Sequence, residues 1–125
     1  MLTIPFETMP PFIDERGSIQ NLLTEPCGGV SIIKTKAGSY RSDHWHREDG
    51  HWLYVLSGRM HYTECAVATG EPAKYPPYFE VEQGERIFTG PRIWHKTFFP
   101  VDTVLISMSL RPRDHTSHES DVVRA

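Results

Sequence analysis

Four histidines carry the chemistry this chain could do. His44 and His46 stand two residues apart, a spacing that on a strand points both imidazoles to one face. His51 follows five positions later, past the turn-prone Glu48-Asp49-Gly50, and heads the apolar run Trp52-Leu53-Tyr54-Val55-Leu56. Two short strands joined at Asp49-Gly50 are expected to bring these three imidazoles together at one end of a sheet. Histidine is only 7 of 125 residues, and three of them fall within eight positions, so chance placement is a poor rival explanation. His95 lies far along the chain and needs the fold to bring it in. Neutral imidazole suits divalent transition metals, and such a site polarises a carbonyl, activates water or, with iron, binds O2. The expected metal ligands are therefore His44, His46, His51 and His95. Imidazole alone does not tell zinc, iron, nickel and manganese apart. The plainer alternative is that one or two of the four are core histidines hydrogen-bonded to neighbours.

The elements that must position them read as strands. Ten prolines and nine glycines punctuate short apolar runs every eight to twelve residues, which suits an all-β barrel or sandwich. No segment sustains an i, i+3, i+4, i+7 apolar pattern over three turns. Phe12 to Ile19 reads as strand, tight turn, strand within an N-terminal arm spanning 1–29. Val30 to Lys36 is a β-branched strand, followed by a turn at Gly38-Ser39. From His51 to Ser57, both faces are mostly apolar, as expected of a central strand buried on two sides. Residues 66–77 form the longest expected loop. His95, Thr97 and Phe99 share a face, and Thr103 to Leu110 alternates regularly. The polar tail, 111–125, is expected to be an extended arm docked on the barrel or on a partner subunit.

The bounds are those of one domain with a single core. A net charge of -3 and a pI of about 6.1 lend nothing to nucleic-acid binding. No apolar run approaches the ~20 residues of a bilayer span, and the first residues lack the pattern of a secretion signal. A cytoplasmic protein is the expectation, with Cys27 and Cys65 as reduced, half-buried thiols.

The stretch from Gly38 to Gly58 resembles the first signature of the cupin superfamily, Gly, five residues, His-x-His, then Glu, then Gly. Gly38, His44, His46 and Gly58 occupy those places, and His51 stands at the Glu place. Gly84 and His95 match the ends of the second signature, with Gly90-Pro91-Arg92 in place of Pro-x-Gly. The resemblance spans roughly Gly38 to Phe99 and implies a single small cupin barrel, a double-stranded β-helix or jelly roll.

A second resemblance is to the RmlC-like, sugar-nucleotide-modifying cupins, the dTDP-sugar 3,5-epimerases and 3,4-ketoisomerases. Asp14-Glu15-Arg16-Gly17-Ser18-Ile19 looks like their opening. Gly38, Arg41, His44 and His46 meet the ketoisomerase pattern Gly-x-x-Arg-x-x-His-x-His, and Trp94-His95 and the tail Glu119 to Arg124 are also similar. This resemblance implies His44 and His46 as metal-free acid and base, with Arg41 holding a nucleotide diphosphate; a surface ion pair of Arg41 with Asp43 or Glu48 is the alternative. His51 favours the metal, because a metal-free isomerase has no obvious use for a third imidazole.

Three functions stand open: a metal-binding cupin enzyme on a small carbonyl-bearing or sugar-nucleotide substrate, a metal-free isomerase or epimerase, and a non-catalytic module for a small ligand. The first is preferred, with a homodimer formed through arms and edge strands. Tyr62 and Glu64 share a strand face with Met60 and are placed to contact substrate; half-buried packing is their plainer reading. Trp45, Trp52 and Trp94 are read as core, and His61 as solvated. His115 and His118 fall in the polar tail, where no role is expected.

Overall fold

The computed structural model describes residues 7–8, 10–70, 77–112 and 114–124. Among these residues, twelve strands, a short 3-10 turn and one helix follow in order. They are β1 (Glu7–Thr8), β2 (Phe12–Asp14), β3 (Gly17–Ile19), β4 (Gly29–Thr35), β5 (Ser39–His46), β6 (His51–Ser57) and β7 (Arg59–Ala66). After the turn at Val67–Thr69 come β8 (Phe79–Glu82), β9 (Glu85–Thr89), β10 (Ile93–Phe99), β11 (Thr103–Ser109), α1 (His115–Asp121) and β12 (Val122–Arg124). Part of the expected loop 66–77 lies outside the described residues.

Two antiparallel five-stranded sheets face one another, in the orders β1-β9-β6-β11-β4 and β12-β5-β10-β7-β8, and β2 and β3 form a separate hairpin. The sheets do not close into a continuous hydrogen-bonded ring. This is a jelly-roll sandwich whose interior is lined by alternate residues of both sheets.

The interior is graded from apolar to polar. At one end Leu53, Val55, Met60, Tyr62, Val81, Ile87, Phe99 and Leu105 form the main core, where burying an aliphatic side chain contributes roughly 1.5–3 kcal/mol. The inward faces change character along each strand. On β6 they run Val55, Leu53, His51; on β10, Phe99, Thr97, His95; on β11, Leu105, Ser107, Ser109. The same strands that pack the core at one end therefore present imidazoles and hydroxyls at the other.

The outer face of the first sheet has a cover of its own. Trp52, Tyr54 and Met108 pack there with Leu22 and Leu23 of the N-terminal arm. The Tyr54 hydroxyl donates to Gln20 (2.6 Å), and Arg86 donates to the Leu22 carbonyl (2.7 Å). This explains why β6 reads apolar on both faces.

Two expectations are corrected here. β5 and β6 are not a hairpin: β5 pairs with β10 and β12, whereas β6 pairs with β9 and β11 in the opposite sheet. Residues 47–50 instead cross the sandwich, held by the Asp121 carboxylate on the backbone N–H groups of Glu48 and Asp49 (2.9 and 3.0 Å). The tail is likewise not simply extended. It docks on the barrel as expected, but through α1 and through β12, which adds to β5 by backbone pairing.

Candidate functional site

His95 and His44 are cross-strand partners, so their rings meet edge to face at 4.8 Å. The pleat sets His46 beside His44 at 4.9 Å. His51 reaches across from the opposite sheet, 5.6 Å from His46 and 5.3 Å from His95. One ring nitrogen from each of His44, His46 and His95 lies within 4.8 Å of the others, a grouping able to hold a metal ion.

An irregularity in β5 makes the arrangement work. His95 pairs with His44 while Lys96 pairs with Ser42, so Asp43 is an extra residue. Ser42 and Asp43 take positive φ angles of 73° and 60°, each costing of order 1–3 kcal/mol. The carboxylate of Asp43 accepts the indole N–H of Trp94 at 2.9 Å and pins the bulge. Positions 41 and 44 would face opposite ways on a regular strand. The added residue lets Arg41 and His44 line the same cavity.

His95 is fully buried. Its Nδ1 lies 3.0 Å from the Ile93 carbonyl, to which it donates, leaving Nε2 with a free lone pair. That Nε2 has no hydrogen-bond partner among the described residues. A buried acceptor left this way costs roughly 1–3 kcal/mol, and such a group calls for a bound partner. His46 is also buried, and its Nδ1 lies 3.5 Å from an Asp121 oxygen. A carboxylate behind an imidazole is the usual outer partner of a metal-bound histidine, orienting the ring and raising its basicity.

Burial, with the neighbouring imidazoles adding to it, pushes His44 down from 6.5 to about 3. Burial likewise pushes His95 down to about 4, against the opposing effect of the Ile93 carbonyl. Both are neutral at pH 7, the form that ligates metal.

The rings bound a cavity of about 390 Å³. Arg41 stands at its wall, donating to Thr35 Oγ1 (2.6 Å) and the Lys34 carbonyl (3.1 Å). The carboxylates weighed as its partners are engaged elsewhere, Asp43 with Trp94 and Glu48 with Arg111. Tyr62 and Glu64 do not belong to the cavity lining. Tyr62 is buried behind His95, linked through its hydroxyl to Thr89 (2.5 Å) and Glu64 (2.9 Å). Burial raises the Glu64 carboxyl above its usual range. His61 is half-buried and stacks on Tyr78 at 4.2 Å. Trp52 and Trp94 are buried, as expected, and Trp45 lies under the Arg92 guanidinium.

Two members of the site escaped the sequence reading. His118 lines the cavity, 5.4 Å from His46 and 6.4 Å from His44. Asp121 backs His46. Asp121 falls within the stretch Glu119 to Arg124 that is similar to the ketoisomerase ending, whereas His118 lies just before it, in a polar tail where pattern and periodicity are silent.

The fold is the cupin-type, RmlC-like jelly roll. No family model matches the chain, and no curated protein matches it either. Solved structures do. A 3,4-ketoisomerase from Helicobacter canadensis is similar at 15% identity and a TM-score of 0.79, covering 100% of this chain and 92% of that one. The TDP-quinovose 3,4-ketoisomerase from Campylobacter jejuni gives 16% and 0.79, covering 100% and 95%. A dTDP-4-dehydrorhamnose 3,5-epimerase from Sulfolobus tokodaii gives 17% and 0.69, covering 93% and 80%. At these identities the shared property is the fold.

Proposed function

We propose that the protein is a metal-dependent enzyme acting on a carbonyl-bearing sugar nucleotide in deoxysugar metabolism. The observation that carries this reading is the buried Nε2 of His95, without a hydrogen-bond partner among the described residues and grouped with His44 and His46. A divalent transition ion held by His44, His46 and His95, with His51 beside them, supplies that nitrogen with its partner. When bound, such an ion polarises a carbonyl oxygen. The chain's own groups do the rest. Asp121 fixes the His46 ring, Arg41 faces the anionic end of the substrate, and the apolar wall of Leu53, Phe99 and Leu105 excludes water. The cavity of about 390 Å³ falls in the range of small-molecule sites. The sugar nucleotide is supported by the fold neighbours, which include a ketoisomerase in complex with TDP-4-keto-6-deoxyglucose.

Metal analysis of protein purified without chelator tests the reading. About one transition ion per chain is expected, falling at least tenfold in the His95→Ala variant. Fewer than about 0.2 ions per chain, with activity intact in His51→Ala, overturns it.

The neighbours' descriptions as ketoisomerases and epimerases favour a second reading, acid–base isomerisation by the imidazoles alone. Chelator-resistant incorporation of solvent deuterium into a dTDP-4-keto sugar is its signature. The depressed values of His44 and His95 weigh against it, since a base near 3 or 4 is a weak one at neutral pH.

A further inference from the structure

The C-terminal arm enters the site directly. β12 pairs with β5 along the ligand pair itself, Val122 opposite His46 and Arg124 opposite His44. The Asp121 carboxylate and carbonyl then tie α1 to the backbone of Arg47, Glu48 and Asp49. These contacts hold His118 at the rim between two cavities. One is the imidazole cavity. The other, of about 400 Å³, is bounded by Arg47, Arg92 and Arg111.

Ring separations set His118 beside the imidazole cluster. With metal–nitrogen bonds of about 2.1 Å and about 1.1 Å from nitrogen to ring centre, two imidazoles on one ion have centres about 4.5 Å apart at right angles and about 6.4 Å apart when opposed. Five neighbouring pairs among His44, His46, His51 and His95 have separations from 4.8 to 5.6 Å. His118 lies 5.4 Å from His46 and 6.4 Å from His44, next to the close nitrogen grouping of His44, His46 and His95 but not one of its members. The differences lie in the support. The other four rings are carried on sheet strands, whereas His118 is half-buried and rides on a helix of seven residues.

We propose that His118 is a fifth imidazole of the metal centre, an exchangeable ligand delivered by the C-terminal arm on the side facing the second cavity. The proposal rests on the metal reading above. It makes the arm part of the coordination sphere. Release of His118 would leave that side of the site open toward the second cavity, where a substrate oxygen could approach.

Cobalt(II) reads this directly, because its visible absorption changes in position and intensity with coordination number. Chelator-stripped wild type, His118→Ala, His118→Gln and His95→Ala are each titrated with cobalt(II), with circular dichroism confirming the fold. The expected result is one cobalt per chain in wild type and in both His118 variants. Those two variants show a shifted, more intense visible band and about tenfold weaker binding, and added free imidazole returns the His118→Ala spectrum toward that of wild type. His95→Ala binds little cobalt. His118→Gln keeps the bulk of the side chain, so it decides the matter if His118→Ala does not fold. Wild-type and His118-variant spectra that superimpose overturn the role of His118 and leave the metal reading standing. A wild type that takes up no cobalt overturns both.

Discussion

An imidazole in water titrates near neutrality, so a neutral cluster at pH 7 has to be made by its surroundings. Here burial does most of that, lowering His44 to about 3 and His95 to about 4 from 6.5. The consequence for stability has a definite sign. Unfolded, both groups take up protons at about 6.5; folded, they do so only near 4 and 3. As pH falls below 6.5 the unfolded state binds more protons and gains on the folded one, so the stability is full above 6.5 and is lost progressively down through the folded values. Urea unfolding of chelator-treated protein should therefore show a midpoint that falls between pH 7 and pH 5, before most carboxylates titrate. A His44→Gln variant should flatten that fall. Arg41 makes the other residue-scale prediction. If its guanidinium meets the anionic end of the substrate, Arg41→Ala raises KM about tenfold or more and leaves kcat within a factor of about three, since a charge-assisted contact away from the reacting atoms is worth roughly 1.5–3 kcal/mol. A fall confined to kcat would remove Arg41 from that role.

At the scale of elements, two features place the clustered imidazoles. The bulge at Asp43 and the crossing segment 47–50 set His44 and His46 against His95 and His51. Asp121→Asn weakens the charge behind His46 and gives up one of the two backbone N–H contacts to Glu48 and Asp49. Loss of an outer carboxylate costs about 10–100-fold in metal affinity, and a chelator-competition titration should show that loss with the fold unchanged. The turn between β6 and β7 is packed too closely for a side chain at its corner. Gly58 has φ of +89°, and a Cβ there would lie 2.5 Å from both the Asp102 carbonyl oxygen and Thr103 Oγ1. Gly58→Ala should destabilise by about 2 kcal/mol or more, because the left-handed backbone alone costs ~1–2 kcal/mol for an L residue. An unchanged melting temperature would show that the turn relaxes without strain.

For the whole molecule, the expected assembly is a homodimer. The β2–β3 hairpin exposes Phe12, Ile13 and Ile19 at 64%, 71% and 65%, and edge strand β4 exposes Val30 and Ile32. Apolar clusters of this kind on a hairpin and a sheet edge mark association surfaces. Light scattering should give twice the 14.4 kDa chain mass, and Ile13→Asp should shift it toward monomer while secondary structure persists. A monomer at tens of micromolar would overturn the dimer.

By itself the sequence determined the strand content, the shared face of His95, Thr97 and Phe99, and the His44/His46 pair; which face of β6 and of β11 points inward was set by the tertiary structure. A period of two and a His-x-His spacing are local properties, set by pleat geometry. The tertiary structure decided what depended on pairing between distant segments. It placed His51 opposite the His44/His46 pair rather than across a hairpin, and it turned Arg41 inward through a bulge that no residue type announces. It also withdrew Tyr62 into the core and brought His118 and Asp121 into the site. Those two side chains sit in a polar tail without hydrophobic periodicity, and β12 docks by backbone hydrogen bonds, to which residue patterns are blind.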